Sequence, residues 1–333
     1  MSSIYGKNLK ISIFGQSHSK AIGVVIDGLP AGKTIDIEAL QEFMLRRAPG
    51  QNEFSTARKE DDKVEFLSGL VDNVTCGAPI SAIIKNTNTK SQDYDNIRDI
   101  PRPSHADFAA HIKYKGFEDV SGGGHFSGRL TAPLCIAGGI CKQLLLEKGI
   151  EIGAHIKEIG GTTVDVYEKI SETKKLGDSV GGVVTCQISG MPVGVGQPMF
   201  EGIENKISSA IFAIPAVKGI EFGNGFEAAR LLGSQNNDSF YYDGDQIKTK
   251  TNNHGGILGG ISTGMPIVFR VAIKPTPSIA KEQDSISFAK GENAKLQVRG
   301  RHDPCIVPRA VPCVEAAAAI AIYDLLMEYE GEK

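Results

Sequence analysis

The chain has 333 residues, 41% hydrophobic and 23% charged, with 39 glycines, no tryptophan and a formal net charge of −3. That length holds one large domain or two, because single cores stop growing near about 250–300 residues. The slight acidity argues against a general nucleic-acid or membrane-surface binder, where a basic excess is expected, so any cationic site has to be local.

Taken in chain order, apolar alternation predicts strands at Lys10–Phe14 and Ile22–Ile26, the second ending at the turn Asp27-Gly28-Leu29-Pro30. Ile37, Leu40, Met44 and Leu45 recur at helical spacing between Asp36 and Ala48, with Arg46 and Arg47 in the last turn and Pro49-Gly50 as the stop. Residues 51–65 are polar and read as a mobile loop carrying Arg58 and Lys59. Ser104 followed by Asp107 has the form of a capping box, which predicts a helix starting at His105. A longer helix is predicted from Leu130 to Lys148, closed by Gly149, with Ala132, Ala137, Gly138 and Gly139 leaving room for a close neighbour. Strands follow at 183–188, 219–223 and 267–273, and a last helix at Val314–Tyr329.

One internal echo stands out. Thr75-Cys76-Gly77-Ala78-Pro79-Ile80 and Ser262-Thr263-Gly264-Met265-Pro266-Ile267 share a polar pair, a glycine and Pro-Ile before a strand. The expectation is two related halves about a pseudo-twofold axis with a site between them, in a single domain spanning 1–333. The six cysteines form no CxxC pair and read as reduced, buried thiols. Met1–Lys7 carries no apolar signal region and no stretch reads as a membrane span, so a cytoplasmic protein is expected.

Four polar clusters carry the chemistry: Gly15–Ser19 around His18, Arg102–Asp107 around His105, Ser121–Arg129 around His125, and Arg301-His302-Asp303-Pro304-Cys305. Each sets a histidine among small residues, which is material for binding an anion and moving a proton. Glycines 122–124 before a helix suit an anion through bare N–H groups and the helix dipole. They match neither a P-loop nor a dinucleotide fingerprint, so kinase-like and Rossmann readings are disfavoured. Arg46, Arg47, Arg58, Arg102 and Arg129 are candidates for a phosphate or carboxylate cage. Lys274-Pro275-Thr276-Pro277-Ser278 offers a cation and two hydroxyls, and Asn252–Gly256 with Gly259-Gly260 offers amides and bare backbone for a planar heterocycle. No Cys/His set has metal-ligand spacing. Arg301-His302 leaves a histidine phosphatase open as an alternative, though no glycine follows the histidine.

Together the clusters resemble the chorismate synthase family over nearly the whole chain. The family's G-E-S-H-G stands here as Gly15-Gln16-Ser17-His18-Ser19, its R-P-G-H-A-D as Arg102–Asp107, and its R-G-G-G-R-S-S-A-R-E as Ser121–Leu130. Its G-R-H-D-P-C is intact at Gly300–Cys305; Leu45–Gly50, Gly255–Gly260 and Lys274-Pro275-Thr276 match in order. The resemblance implies an α+β fold, a β-α-β sandwich of two pseudo-twofold-related halves with helices between antiparallel sheets. It implies a lyase of the shikimate pathway to aromatic amino acids, converting 5-enolpyruvylshikimate 3-phosphate to chorismate and phosphate by 1,4-elimination. Reduced FMN is the implied cofactor, NADPH a candidate reductant, and a homotetramer the implied assembly, with no nucleic-acid or membrane partner.

Carried over residue by residue, His18, His105 and Asp303 match the catalytic positions, the histidines for proton transfer and the aspartate for the substrate proton. Arg46, Arg47, Arg129 and Arg301 match substrate-binding positions, and Arg47 also an NADP contact in some members. His125, Phe126, Ser127, Gly259, Lys274, Pro275, Thr276, Pro277, Ser278 and Arg301 match the flavin contacts. The chain departs from the pattern at His125 and Phe126, which replace arginine and serine, and at Gln16, which replaces glutamate. Glu53 stands for an arginine and Pro215-Ala216 for Asn-Ala. A binding protein without turnover is the alternative that these departures raise.

Overall fold

The computed structural model describes residues 3–50, 62–87, 98–298 and 303–331. The first half runs β1 (Ile4–Tyr5), β2 (Lys10–Gly15), β3 (Ala21–Asp27), α1 (Ile37–Arg47), β4 (Glu65–Ser68), the hairpin β5 (Leu70–Val71)–β6 (Val74–Thr75), and β7 (Ile80–Lys85). Helices α2 (Asp107–Tyr114) and α3 (Thr131–Leu146) follow. The second half opens with β8 (Glu151–Ile159), α4 (Val166–Lys175), β9 (Gly182–Ser189), α5 (Ile203–Phe212), β10 (Val217–Phe222) and α6 (Gly233–Asn236). Then come hairpins β11 (Phe240–Asp243)–β12 (Gln246–Thr249) and β13 (Ile257–Leu258)–β14 (Ile261–Ser262), strand β15 (Ile267–Ile273), hairpin β16 (Gln283–Ser287)–β17 (Glu292–Leu296), and α7 (Val307–Gly331).

Two antiparallel sheets, ordered β1-β2-β3-β7-β4 and β10-β15-β9-β8, enclose the helices. Alternation decides which face each strand turns inward: Ile267, Phe269, Val271 and Ile273 of β15 are buried while the residues between them are not. Helix α3 packs on β3 and β7 of one sheet and β8 of the other, and α7 on β8 and β9. At their crossing a Cβ on Gly138 would stand 2.3 Å from Ala316 Cα, so only glycine lets the two backbones meet. The expected α+β sandwich, with helices between antiparallel sheets, is what the chain forms.

The halves repeat one unit in detail. Strand order β2-β3-β7-β4 in one sheet is matched by β8-β9-β15-β10 in the other. Each copy places a two-residue hairpin before its Pro-Ile strand. Cys76 N donates to Gly69 O at 3.1 Å, and Thr263 N to Gly256 O at 3.0 Å. The Thr75 hydroxyl donates to Pro30 O at 2.7 Å and accepts from Lys33 N at 2.8 Å. Ser262 does the same with Pro192 O at 2.6 Å and Val195 N at 2.9 Å. The paired segments Gly28-Leu29-Pro30-Ala31-Gly32 and Gly190-Met191-Pro192-Val193-Gly194 put both glycines at positive φ. The echo read from sequence at 75–80 and 262–267 is the visible part of this longer repeat.

Three local expectations differ from the structure. The last helix begins at Val307, not Val314, and runs through Pro312. One backbone bond is lost there, but burial of nearly every residue from Ala310 to Leu326 outweighs the breaker. The capping box does not form: α2 starts at Asp107 with no side-chain cap on Ala106, because the Asp107 carboxylate turns back to Arg102 and His105. Of the loop expected at 51–65, residues 51–61, Arg58 and Lys59 with them, lie outside the described residues; Asp62 is buried rather than solvated and β4 starts at Glu65. Two helical segments, Gly128–Leu146 and Val307–Gly331, have the length and hydropathy to cross a membrane, yet their most apolar windows are 83% and 94% buried as the central core helices.

Candidate active site

The N-terminal turns of α3 and α7 open into one cavity of about 610 Å3, lined by residues from both halves of the chain. Its walls carry the side chains of Arg47, Arg102, Arg129, Lys218, Lys274 and Arg309 together with His105 and His125. Asp303 is the acidic residue among the described lining. A chain of net charge −3 thus concentrates positive charge in one hollow, reinforced by the positive ends of two helices.

Buried Arg102 and Asp107 form a trio with half-buried His105. Asp107 Oδ2 accepts from Arg102 N at 3.0 Å and Nε at 2.7 Å, and Oδ1 accepts from Nη2 at 2.8 Å. His105 Nδ1 also meets Asp107 Oδ1, so this nitrogen carries the proton, a carboxylate being an acceptor only. Arg102 Nη1 reaches Ser278 Oγ at 3.3 Å. Burial pushes the Asp107 carboxyl up, but Arg102 and His105 hold it far below the usual range. Burial lowers the His105 pKa; Arg102 and Lys274 push the same way against Asp107.

The second cluster is buried deeper. Asp62 bridges Arg47, 2.5 Å from Nη1, and Arg129. Arg47 also donates from Nε to Thr131 Oγ1 at 3.1 Å and from Nη2 to Gly128 O at 3.3 Å. Arg129 Nε donates to Asn86 Oδ1 at 3.2 Å. Burial alone would raise the Asp62 carboxyl; the two guanidiniums lower it instead. In a third pair Arg309 binds Asp303 and donates from Nε to Arg47 O at 3.0 Å.

The glycine turn joins the histidines. Gly122, Gly123 and Gly124 all have positive φ. A Cβ on Gly122 would lie 2.8 Å from His18 Nε2, and one on Gly123 3.2 Å from His105 Cε1. The turn is therefore sandwiched between the two histidines, with His105 on the cavity wall and His18 behind Gly122, outside the lining. His125 donates from Nδ1 to Gly15 O at 2.7 Å and meets Ser3 Oγ at 2.7 Å through Nε2. The Lys274 ammonium reaches Ser104 O.

Of the residues picked out by sequence, Arg47, His105, His125, Phe126, Ser127, Arg129, Lys274, Thr276, Pro277, Ser278 and Asp303 line the cavity. Arg301 lies outside the described residues. Pro275 is in the same strap but not in the lining. Gly259 sits in the β13–β14 turn and does not border the hollow. Arg46 is turned away: one residue along α1 from Arg47 it faces another side of the helix, pairing with buried Glu315 at 2.7 Å. The amide cluster is tied inward, Asn252 to Pro266 O at 2.8 Å and His254 to Asp238 at 2.6 Å. Sequence reading missed Asp62, Thr131, Lys218, Arg309 and Cys313, and named Ser17 only as part of the His18 cluster. Only the double arginine at 46–47 and Arg129 hinted that a buried acid was needed between them.

Comparison with known proteins agrees with this arrangement. The family profile described as chorismate synthase matches residues 9–327. A chorismate synthase of Dehalococcoides mccartyi is 46% identical, the alignment covering 98% of this chain and 97% of the relative. One from Thermococcus kodakarensis is 45% identical, covering 97% of each. A solved structure, a crystal structure of chorismate synthase, superposes with a TM-score of 0.77 at 29% identity over 98% of this chain and 94% of that one. The chain belongs to the chorismate synthase family.

Proposed function

We propose that this protein is an enzyme converting 5-enolpyruvylshikimate 3-phosphate to chorismate and phosphate, a carbon–oxygen lyase of the shikimate pathway to aromatic amino acids. The observation that carries the proposal is the cation-lined cavity at the seam of the two halves, with His105 on its wall and His18 across the same glycine turn. The substrate carries a phosphate monoester and two carboxylates, and planar guanidiniums with lysines suit both kinds of group.

The hollow fits a phosphate-bearing cofactor as well. Thr276 Oγ1 is buried with no hydrogen-bond partner among the described residues, a group left for a ligand to satisfy. We assign reduced FMN to the side formed by His125, Phe126, Ser127 and Lys274–Ser278, with Gly259 and Arg301 carried by family likeness alone. Reduced FMN would supply electron density to the allylic system and accept the substrate proton, without net redox change. NADPH is the proposed reductant, with Arg47 as its candidate contact.

The chain's own part is positioning and proton handling. Arg47 and Arg129, locked by Asp62, hold substrate anions without reorganisation. Lys274, beside His105, holds the leaving phosphate while His105 Nε2 brings it a proton. Asp303, fixed by Arg309, lines the same cavity and takes part in removing the ring proton. His18 behind the glycine turn acts on the cofactor side.

We further assign a single domain, a cytoplasmic location and a homotetramer. Large exposed apolar side chains in the second half, Phe200, Phe226, Leu232 and Tyr242, support assembly.

The test is anaerobic mixing with 5-enolpyruvylshikimate 3-phosphate and dithionite-reduced FMN, following chorismate absorbance, with a parallel run lacking flavin. Flavin-dependent chorismate is the expected result. Ligand binding without product would reduce the protein to a binding paralogue, and phosphate release without flavin would make it a phosphatase.

A further inference from the structure

We propose that His105 is charged by its ligand: an anion entering beside Arg102 and Lys274 accepts from His105 Nε2 and draws a proton from solvent onto that nitrogen. The inference rests on reading the cavity as an anion site, not on the elimination itself.

The empty geometry holds His105 neutral. Its single proton lies on Nδ1, committed to Asp107, which leaves a lone pair on Nε2. Arg102 Nη2 stands 3.0 Å from Nδ1 and 3.3 Å from Nε2, so the guanidinium charge lies against the ring beside both nitrogens. A second proton, on Nε2, would add a positive charge beside Arg102 and Lys274, in a pocket where burial already disfavours the imidazolium.

Among the described residues, Asp107 of α2 is the one carboxylate in contact with the ring, and that group is shared with Arg102. Lys274, from the end of β15, faces it with Lys218 behind. The glycine turn brings no charge, and His18 lies on its far side. Ser278 holds the other guanidinium nitrogen.

An anion reverses this balance. Its oxygens accept from Nε2–H and pair with Arg102 and Lys274, and the added negative charge stabilises the imidazolium. The proton comes from bulk buffer and the site gains one positive charge as it gains the ligand. The acid for a departing phosphate is therefore made only when a phosphate is present, and the site without a ligand is spared a further positive charge beside Arg102 and Lys274.

Sulfate is the probe, because it does not titrate near neutrality. Titration calorimetry of the full chain near pH 6.5, about the ordinary histidine value, is run in two buffers of different ionisation enthalpy. Net proton uptake on sulfate binding is expected, lost in His105→Gln and diminished in Asp107→Asn. NMR titration of the wild-type His105 Cε1–H with and without saturating sulfate gives a second reading that needs no variant. It should show the pKa rising by about one unit or more. Buffer-independent heats, uptake unchanged in His105→Gln, an unmoved His105 titration, or no sulfate binding would each overturn the proposal. Sulfate-linked uptake in a protein that makes no chorismate would leave it standing and refute the elimination instead.

Discussion

The arginines and the lysines of the cavity are held in opposite ways. Arg47 and Arg129 share Asp62, Arg102 has Asp107 and Arg309 has Asp303, so the lining arginines arrive with their counter-charges built in. Lys218 and Lys274 have no carboxylate within ion-pair distance among the described residues, and Lys274 is held only by a backbone oxygen. Burial, and then its neighbour Lys218, push the Lys274 pKa down. The difference separates two jobs: neutralised arginines shape the cavity and present N–H groups, while the lysines supply the uncompensated charge that a ligand comes to neutralise.

The largest effect should come from breaking an arginine's partner. Asp62→Asn leaves two buried guanidiniums facing each other, and a loss of about 3–5 kcal/mol in urea-unfolding stability is expected. A loss under about 1 kcal/mol would mean that solvent reaches the cluster and that the arginines are not preset. Next is Gly138→Ala at the α3–α7 crossing, where the new Cβ overlaps Ala316; a loss of about 1–3 kcal/mol by the same measurement is expected.

Lys274→Met should divide the two jobs cleanly. Sulfate affinity is expected to fall by roughly tenfold, the order of one unscreened charge contact, with the unfolding midpoint unchanged or slightly raised. A collapse in stability would place Lys274 with the arginines.

The carboxylates also give a pH signature. Asp62 and Asp107 have folded pKa values below their unfolded ones, so they contribute stability above the unfolded value, about 3.9, and lose it as pH falls towards the folded values. The wild type should lose stability steeply below about pH 4 in a urea–pH series, and Asp62→Asn should lose less over that range. Smallest is Gly259→Ala, in open space but at positive φ: a cost of about 1 kcal/mol with sulfate binding intact.

Much of the fold was legible because its signals are local. Alternation located β2, β3, β9 and β15, and helical spacing located α1 to within a residue or two. Where reading failed, a distant partner had overruled a local rule. Pro312 does not end α7 because both faces of that helix are buried, and Asp107 does not cap α2 because Arg102 and His105 claim its oxygens first.

Within the site, the histidines, Lys274–Ser278, Arg129 and Asp303 stand out by residue type and company. Asp62 does not, lying in a polar stretch that looks solvated, and Arg309 follows a proline in an apolar run. Their roles depend on what faces them across the cavity.

The sequence by itself determined the alternating strands, the echo of the two Pro-Ile strands, and the histidine clusters, because each is written in neighbouring residues. The tertiary structure alone decided that His18 and His105 share one glycine turn, that Arg47 faces the cavity while Arg46 leaves it, and which arginines hold a carboxylate. Those outcomes turn on side chains brought within a few ångströms from far apart in the chain, where burial makes each pairing strong and no local pattern records it.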